Sequence, residues 1–459
     1  MPLPAEFEQN LKQLFPAGAC FTDPADCLVY GYDNSRQQYF PDGVVFSTTH
    51  AEVVALVKLC AKFRMPLISR GRGTNPVGAT LPIQGGIVLS LERMNKILDV
   101  SAADRYMVVE PGILNAQVQA EAAKYGLFWA PDPTSSAYSC IGGNLGCNAA
   151  GPRGVKYGTT RENVLGLTFV TGEGKTIHSG VYTTKGVVGY DLARLMIGSE
   201  GTLGVMTKAI LKLSPIPEKI ATMRALFNSI QSAAKAVTQI MGQGVTPCAV
   251  EFADHHCVGI IKNNNPGWLP DAAQAMLMLE VDGPGAAIDS NIQAIKQAAS
   301  LPGLIDFEIA KNKAEQDALW QARKSLSQSL RTLSPNKINE DIVVPVSEIH
   351  VLLDFLDQKA KEYDFRIVSF GHAGNGNLHV NLLVDPHHPI EGPKAKACLE
   401  EIFDKVIALK GTLSGEHGVG IEKKAYIHKE LDAATIEFMK QIKAVFDPAG
   451  IFNPGKIFP

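Results

Sequence analysis

The chain has 459 residues and a formal net charge of −3. This length predicts two or three domains, because single hydrophobic cores stop growing well below it. The small net charge argues against nucleic acid as the main partner. The eight cysteines form no Cys-x-x-Cys pair, which argues against iron–sulfur and zinc-knuckle sites and fits a reducing cytoplasm.

The first 30 residues predict an amphipathic helix followed by a turn. Strands are then predicted at 44–47, 66–69 and 86–90, with a helix at 51–63 whose apolar residues recur at helical spacing. Nothing resembles a signal peptide, and no run of about eighteen apolar residues occurs. We therefore expect a cytoplasmic protein without a transmembrane segment, and leave peripheral attachment to a membrane open.

Three segments of this first half are rich in glycine and small side chains, namely 69–78, 131–151 and 197–205. The first follows a predicted strand, so its main-chain N–H groups could face a pyrophosphate. It is neither a Walker loop nor a Rossmann fingerprint, because no Gly-Lys-Ser/Thr follows and no glycine stands three residues after Gly73. The other two segments suit a backbone that lies against a flat ligand.

The sequence Ser-Pro-Ile-Pro at 214–217 predicts a domain boundary. Beyond it, strands alternate with longer helices, which predicts an α+β domain. We predict domains at 1–215 and 216–445, followed by a turn-rich segment, 446–459. The longer helices are predicted at 230–241, 287–299 and 314–333.

Two histidines and a glutamate lie in glycine-rich loops of the second half. His372 lies in a loop with three glycines, 371–377, and His379 follows that loop, which can fold one strand back on another. With Glu416 they would suit a divalent cation such as zinc, manganese or iron, and leave a position for substrate. His417 could then accept a proton near neutral pH. The competing interpretation is a set of unrelated loop residues.

Three further motifs identify a family resemblance. They are Gly-His-Ala-Gly-Asn-Gly-Asn-Leu-His at 371–379, Ser-Gly-Glu-His-Gly-Val-Gly at 414–420 and Asn-Pro-Gly-Lys-Ile at 453–457. With the small-residue segments, they resemble the D-2-hydroxyacid dehydrogenase branch of the vanillyl-alcohol oxidase/p-cresol methylhydroxylase superfamily. From about residue 30 onward, the resemblance implies an α+β fold: a two-subdomain FAD-binding domain of the vanillyl-alcohol oxidase type and an α+β substrate domain with an antiparallel sheet.

The resemblance also implies FAD, bound by the small-residue segments and the C-terminus. The usual histidine before the pyrophosphate loop is absent, and Arg72 stands where glycine is more usual. We therefore expect non-covalent FAD, with attachment at Cys140 or Cys147 as the alternative. The expected FAD-binding residues are Arg70, Gly71, Arg72, Gly73, Thr74, Asn75, Pro133, Thr134, Ser135, Gly142, Gly143, Asn144, Asn148, Glu200, Gly201, Gly204, Val205 and Asn453.

Four residues are expected to bind substrate. Arg323 and Ser327 lie four apart on a predicted helix, and a guanidinium suits a carboxylate. Asn381 shares a strand face with His379. By pattern alone these would be routine polar positions, as would Lys337. The resemblance implies that Arg323 and Lys337 hold the substrate carboxylate.

The implied reaction is FAD-dependent oxidation of a D-2-hydroxy acid, with His417 as base and His372, His379 and Glu416 as metal ligands. We expect D-lactate as substrate, with D-2-hydroxyglutarate or glycolate as alternatives, and a quinone or electron-transfer flavoprotein as acceptor. An ether-lipid synthase of the same superfamily, a non-catalytic flavin electron-transfer subunit and a metal-dependent hydrolase are the competing functions. The sequence leaves a homodimer open.

Overall fold

The computed structural model describes residues 3–459. No helix in this part of the chain is long and apolar enough to cross a membrane. The strands are β1 Cys20–Phe21, β2 Gly43–Phe46, β3 Leu67–Arg70, β4 Ile87–Ser90, β5 Ile97–Ser101, β6 Tyr106–Val109, β7 Leu127–Phe128, β8 Val164–Val170, β9 Thr176–Gly180, β10 Val205–Lys212, β11 Ser214–Pro215, β12 Lys219–Phe227, β13 Ala249–Ala253, β14 Ala275–Gly283, β15 Leu304–Ile309, β16 Ile338–Val343, β17 Ile367–Gly371 and β18 Asn377–Leu382. The helices are α1 Ala5–Leu14, α2 Pro24–Cys27, α3 His50–Phe63, α4 Asn115–Ala123, α5 Ile141–Cys147, α6 Gly154–Tyr157, α7 Leu192–Met196, α8 Ile230–Gly242, α9 His255–Asn264, α10 Ile288–Ala299, α11 Lys313–Ser329, α12 Ile349–Tyr363, α13 Glu391–Ala408 and α14 Ala433–Phe446.

The chain divides into two compact units. Unit 2 comprises Pro152–Tyr157 and Pro217–Gly415, and unit 1 comprises the remaining described residues. Sequence analysis placed 416–445 in the second domain, whereas the structure groups these residues with unit 1. The reason is that Ile442 and Phe446 of α14 pack against a core cluster of unit 1. The helical spacing of apolar residues predicts a buried face without indicating which domain covers it.

Unit 1 contains two main sheets. In the first, β2, β4 and β3 are parallel neighbours, and β1 pairs antiparallel with β2. The second has the antiparallel order β5-β6-β10-β8-β9. Helix α3 begins at a capping box formed by Thr49 and Glu52 and buries Leu56 and Val57 in the first core. The strands and the helix predicted in this region are found within one or two residues of their predicted bounds.

Unit 2 is built on a seven-stranded antiparallel sheet. Its strand order is β15-β12-β14-β13-β17-β18-β16. Strands β13, β17 and β18 are buried along their whole length, so both faces of the sheet centre are covered. Helices α8 and α10 pack against β12 and β14, and α9 packs against β13 and β17. The expected α+β fold with an antiparallel sheet is confirmed.

The hairpin of β17 and β18 carries the two predicted metal-binding histidines. Phe370 pairs with His379 across the hairpin. A Cβ on Gly371 would lie 2.4 Å from the carbonyl oxygen of Asn377, so only glycine permits this close approach. Gly376 ends the turn at φ +76°, in the left-handed region that favours glycine. The glycines therefore fold one strand back on the other, as the sequence predicted.

Candidate active site

His372 and His379 come together in unit 2. Their ring centroids are 5.4 Å apart at an interplanar angle of 83°, and their nearest possible ligand nitrogens lie within 4.8 Å. Both side chains are buried. Two imidazoles in this arrangement could supply two of the ligands of a zinc, manganese or iron site, whose other ligands come from carboxylate or water.

The third predicted metal ligand follows a turn that Asp341 fixes. Asp341 lies opposite His379 across the β16–β18 pair and is fully buried. Its carboxylate accepts hydrogen bonds from the main-chain N–H of Gly415, at 3.0 Å, and from the Ser414 hydroxyl, at 3.2 Å. Glu416 is the next residue, and its Cα lies about 3.8 Å from that of Gly415 by peptide geometry. Asp341 was not among the predicted site residues; it lies just before an apolar run, 342–344.

Glu251 was also missed by sequence analysis. Its Oε1 lies 2.6 Å from Nδ1 of His372, and its Oε2 accepts a hydrogen bond of 2.7 Å from Nε of Arg323. Burial raises the pKa of this carboxyl, but His372 and Arg323 outweigh that effect and hold the pKa below its ordinary value. The available signal was a carboxylate inside the apolar strand Ala249–Ala253, because buried glutamates are rare unless paired.

The four predicted substrate-binding residues lie in unit 2. Arg323 is buried, and its guanidinium carbon lies 4.9 Å from the centroid of the Phe370 ring. Lys337 Nζ donates to Asn381 Oδ1 at 2.8 Å and to the Ser327 hydroxyl at 3.4 Å. The structure thus joins Ser327, Lys337 and Asn381 in one hydrogen-bonded group. Arg323 belongs to a second group, with Glu251 and His372.

The three small-residue segments of unit 1 converge. A Cβ on Gly71 would lie 2.5 Å from the sulfur of Cys140, which shows how closely the first two segments approach. The second and third are joined by a hydrogen bond of 2.8 Å from the N–H of Glu200 to the carbonyl of Gly146. The third meets the beginning of the first, because a Cβ on Gly201 would lie 2.5 Å from the Ser69 hydroxyl.

This region of unit 1 fits a large, flat, phosphate-bearing cofactor. Within residues 3–459, the main-chain N–H groups of Gly71, Gly73 and Thr74 donate no hydrogen bond to the protein. Free N–H groups of this kind suit an anion. On α5, a Cβ at Gly146 would meet nothing within 4 Å, and one at Gly143 would meet only the Cys140 sulfur, at 3.8 Å. These glycines leave an open surface, so the residues present fit FAD.

Several side chains predicted to bind FAD have protein partners in unit 1. Arg70 is buried and donates to the Thr80 hydroxyl, whereas the more exposed Arg72 pairs with Glu92. Asn148 ends α5 in a left-handed conformation and accepts a hydrogen bond from the N–H of Arg161. Their side chains therefore shape the loops. Asn144 likewise accepts a hydrogen bond from Asn115.

The remaining predicted positions are turns and a strand start. The carbonyl of Pro133 accepts a hydrogen bond from Ser136, and that of Ser135 accepts two from the residues that follow, so Thr134 lies within a closed turn. Gly142 donates its N–H to the carbonyl of Pro111. Gly204 directly precedes β10, which begins at Val205.

Glu200 and Asn75 hold the loop that contains His417, all within unit 1. The carboxylate of Glu200 accepts hydrogen bonds from the N–H groups of Val419, at 2.7 Å, and Gly420, at 2.8 Å. Asn75 donates to the carbonyl of His417 at 2.6 Å. Asn453 donates to the carbonyl of Glu200 at 2.7 Å, which brings the C-terminal segment to the same place. These contacts reach the His417 loop through main-chain atoms.

The chain matches two families of known proteins. Residues 41–180 match the FAD binding domain, and residues 216–457 match the C-terminal domain of FAD linked oxidases. It is 40% identical to the glycolate oxidase subunit GlcD of Bacillus subtilis (strain 168), over 94% of this chain and 92% of that protein. It is 33% identical to the D-lactate dehydrogenase of Anaerostipes hadrus, over 91% of this chain and 89% of that protein.

The fold is also found among solved structures. The structure of p-cresol methylhydroxylase with substrate bound has a TM-score of 0.80 and 17% identity, and the match covers 98% of this chain and 96% of that chain. This likeness confirms the fold of the vanillyl-alcohol oxidase type. The two family matches, together with the relatives aligned over most of both chains, establish the family of this protein. The protein belongs to the FAD linked oxidases and is an FAD-linked oxidoreductase.

Proposed function

We propose that this enzyme oxidises a small D-2-hydroxy acid, preferably D-lactate, to the 2-oxo acid. One observation carries the proposal: a single buried carboxylate, that of Glu251, binds both the guanidinium of Arg323 and the imidazole of His372. A 2-hydroxy acid carries its carboxylate and its hydroxyl on adjacent carbons. A cation that binds the carboxylate, and a metal-binding nitrogen whose ion binds the hydroxyl, therefore suit this substrate class. The glycolate oxidase and D-lactate dehydrogenase relatives support the same class.

We assign the substrate-binding roles to unit 2 and the FAD-binding role to unit 1. Arg323 binds the substrate carboxylate, since a guanidinium forms a paired set of hydrogen bonds with it. Lys337 binds the same carboxylate as a second cation, and Asn381 and Ser327, which accept hydrogen bonds from its ammonium group, complete the proposed substrate-binding residues. His417 accepts the proton of the 2-hydroxyl, and the loss of that proton favours departure of the hydrogen at C2 with its electron pair.

We also propose a divalent ion, zinc, manganese or iron, held by His372, His379 and Glu416. Such an ion would lower the pKa of a bound hydroxyl. FAD supplies the acceptor for the hydride equivalent, so substrate oxidation is balanced by flavin reduction. The final acceptor is then a quinone or an electron-transfer flavoprotein in the cytoplasm or at a membrane surface.

A substrate panel tests the proposed reaction. With an artificial dye acceptor, we expect kcat/KM to be highest for D-lactate, lower for D-2-hydroxyglutarate and glycolate, and lowest for the L-acids. With the carboxylate and the hydroxyl both bound, one enantiomer presents its C2 hydrogen to the flavin and the other presents its side group. NAD⁺ should not replace the dye. A preference for L-lactate would contradict the stereochemistry. A preference for D-2-hydroxyglutarate that Lys337→Ala removes would assign Lys337 to a second carboxylate, and a preference for glycolate would favour the glycolate oxidase alternative.

Acid precipitation tests how FAD is held. We expect the yellow chromophore to appear in the supernatant, because burial raises the pKa of the Cys140 thiol and so disfavours the reactive thiolate. The measurement is the flavin absorbance of supernatant and pellet. Colour that stays with the pellet would indicate covalent attachment, and Cys140→Ala and Cys147→Ala would then show at which sulfur.

A further inference from the structure

We propose that Glu251 is a positioning residue that prepares His372 to bind the metal and Arg323 to bind the substrate carboxylate. This inference rests on the proposed function, and it adds a residue that joins the two halves of substrate recognition. Glu251 touches neither substrate nor metal in this proposal. It acts through the two side chains that its oxygens contact.

The position of Glu251 is set by the sheet. Strand β13 pairs with β14 on one side and with β17 on the other, where Phe252 lies opposite Gly371. One step further along this register places Glu251 opposite His372, directly after the end of β17. The side chain is only 2% exposed, and its two oxygens have different partners at 2.6 and 2.7 Å. Hydrogen bonds of this length to a carboxylate are strong and directional.

The contact with Oε1 determines which nitrogen of His372 can bind a metal. A carboxylate can only accept, so Nδ1 of His372 carries the hydrogen and donates it to Glu251. The lone pair of the neutral ring then lies on Nε2, and this is the nitrogen that could coordinate a metal ion. Metal-binding histidines are commonly oriented by a carboxylate in this way, and loss of such a partner typically lowers metal affinity or activity roughly 10- to 100-fold.

The contact with Oε2 determines which edge of Arg323 is available. Glu251 takes Nε, and the guanidinium lies over the ring of Phe370. Within the described residues 3–459, no group accepts a hydrogen bond from Nη1 or Nη2 of Arg323, although the residue is only 6% exposed. A buried guanidinium with two unused nitrogens is a prepared site for one more acceptor, and a substrate carboxylate has the matching geometry.

Glu251→Gln is the sharpest test, because it keeps the size of the side chain but not its two acceptors. An amide has one acceptor oxygen and one donor group, so it can serve His372 or Arg323 but not both. If the oxygen faces Arg323, the NH₂ group faces Nδ1 of His372 and favours the tautomer with hydrogen on Nε2. If the oxygen faces His372, two donors oppose each other at Arg323.

Glu280→Gln is the matched control. Glu280 is a buried carboxylate on the neighbouring strand β14, and it accepts hydrogen bonds from the Thr222 hydroxyl, at 2.6 Å, and from Nε1 of Trp320, at 2.7 Å. Trp320 belongs to α11, the helix that also carries Arg323. The control therefore changes an equivalent buried charge that holds the same helix, and it leaves the contacts of Glu251 in place.

The first measurement is the affinity for Mn²⁺ or Zn²⁺, titrated into metal-free, FAD-loaded protein without substrate. We expect Glu251→Gln to weaken binding roughly 10- to 100-fold and to raise KM for D-lactate, while Glu280→Gln keeps the parent affinity within about twofold. Parent affinity and parent KM in Glu251→Gln would overturn the proposal. Because no substrate is present, this titration succeeds or fails independently of which acid is oxidised. A parent protein that binds no metal at all would overturn the part of the proposal in which Glu251 prepares His372 for metal binding.

The second measurement uses the unsubstituted protein, so it does not depend on whether a variant folds. Nitrogen-15 NMR of histidine-labelled, metal-free protein reports the tautomer of each ring, and His372→Gln assigns the signal by its loss. We expect His372 to carry its hydrogen on Nδ1. A neutral His372 ring with hydrogen on Nε2 would contradict the assigned role of Glu251, whatever the substrate panel shows.

Discussion

Replacement of His417 by alanine is expected to lower turnover by about 10²- to 10⁴-fold, the usual range for loss of a general base. FAD and metal binding should remain, because the loop is held through its backbone. Asn75 binds the carbonyl of His417, and Glu200 binds the N–H groups of the residues that follow Gly418. None of these contacts uses the imidazole. Alanine therefore removes the proposed proton acceptor and leaves its support unchanged.

The measurement for His417→Ala is the rate at which D-lactate bleaches the flavin in a single turnover, since this isolates substrate oxidation from the later transfer of electrons. His428→Ala, which removes an exposed histidine of the same unit, is the control and should bleach at the parent rate. If His417→Ala also bleaches at the parent rate with normal FAD and metal content, another group accepts the proton.

Local sequence predicted the parts of the site that depend on neighbours in the chain. The β17–β18 hairpin follows from Gly371 and Gly376, whose close approach and positive φ no other residue tolerates well. The small-residue segments of unit 1 were predicted to lie against a flat ligand, and Gly143 and Gly146 leave an open surface on α5. In each case the residue type indicates the backbone conformation, or the space beside the backbone, that the position requires.

Sequence could not predict partners that the topology brings together. Glu251 and His372 are 121 residues apart, and Arg323 is 72 residues from Glu251. These pairs depend on the order of strands in the sheet, in which β13 lies beside β17 although β14 to β16 intervene in the chain. The small-residue segments show a second limit. Composition predicted a cofactor surface, but it could not show that Arg70 and Asn148 turn their side chains toward the protein.

Removal of the divalent metal is expected to abolish turnover of D-lactate while the flavin spectrum stays unchanged. The proposed ligands His372 and His379 lie on a hairpin whose shape does not depend on the ion. Backbone pairing fixes His379 opposite Phe370, and the carboxylate of Glu251 orients the ring of His372. The protein should therefore remain folded after chelation, with its FAD region in unit 1 intact. The loss of turnover would then reflect the missing effect of the ion on the substrate hydroxyl, whose pKa the ion is proposed to lower.

The decisive measurement compares three preparations for metal content, flavin absorbance and dye reduction: the protein as purified, the chelated protein, and the chelated protein resupplied with Zn²⁺ or Mn²⁺. Activity should return with about one ion per chain, because the three proposed ligands would hold a single ion. His379→Ala removes one proposed ligand, and it should behave like the chelated protein and regain little activity on resupply. Full turnover by metal-free protein would contradict the metal site. Activity that returns equally in His379→Ala would show that the ion acts elsewhere, because a site that loses one of three protein ligands binds its ion far more weakly.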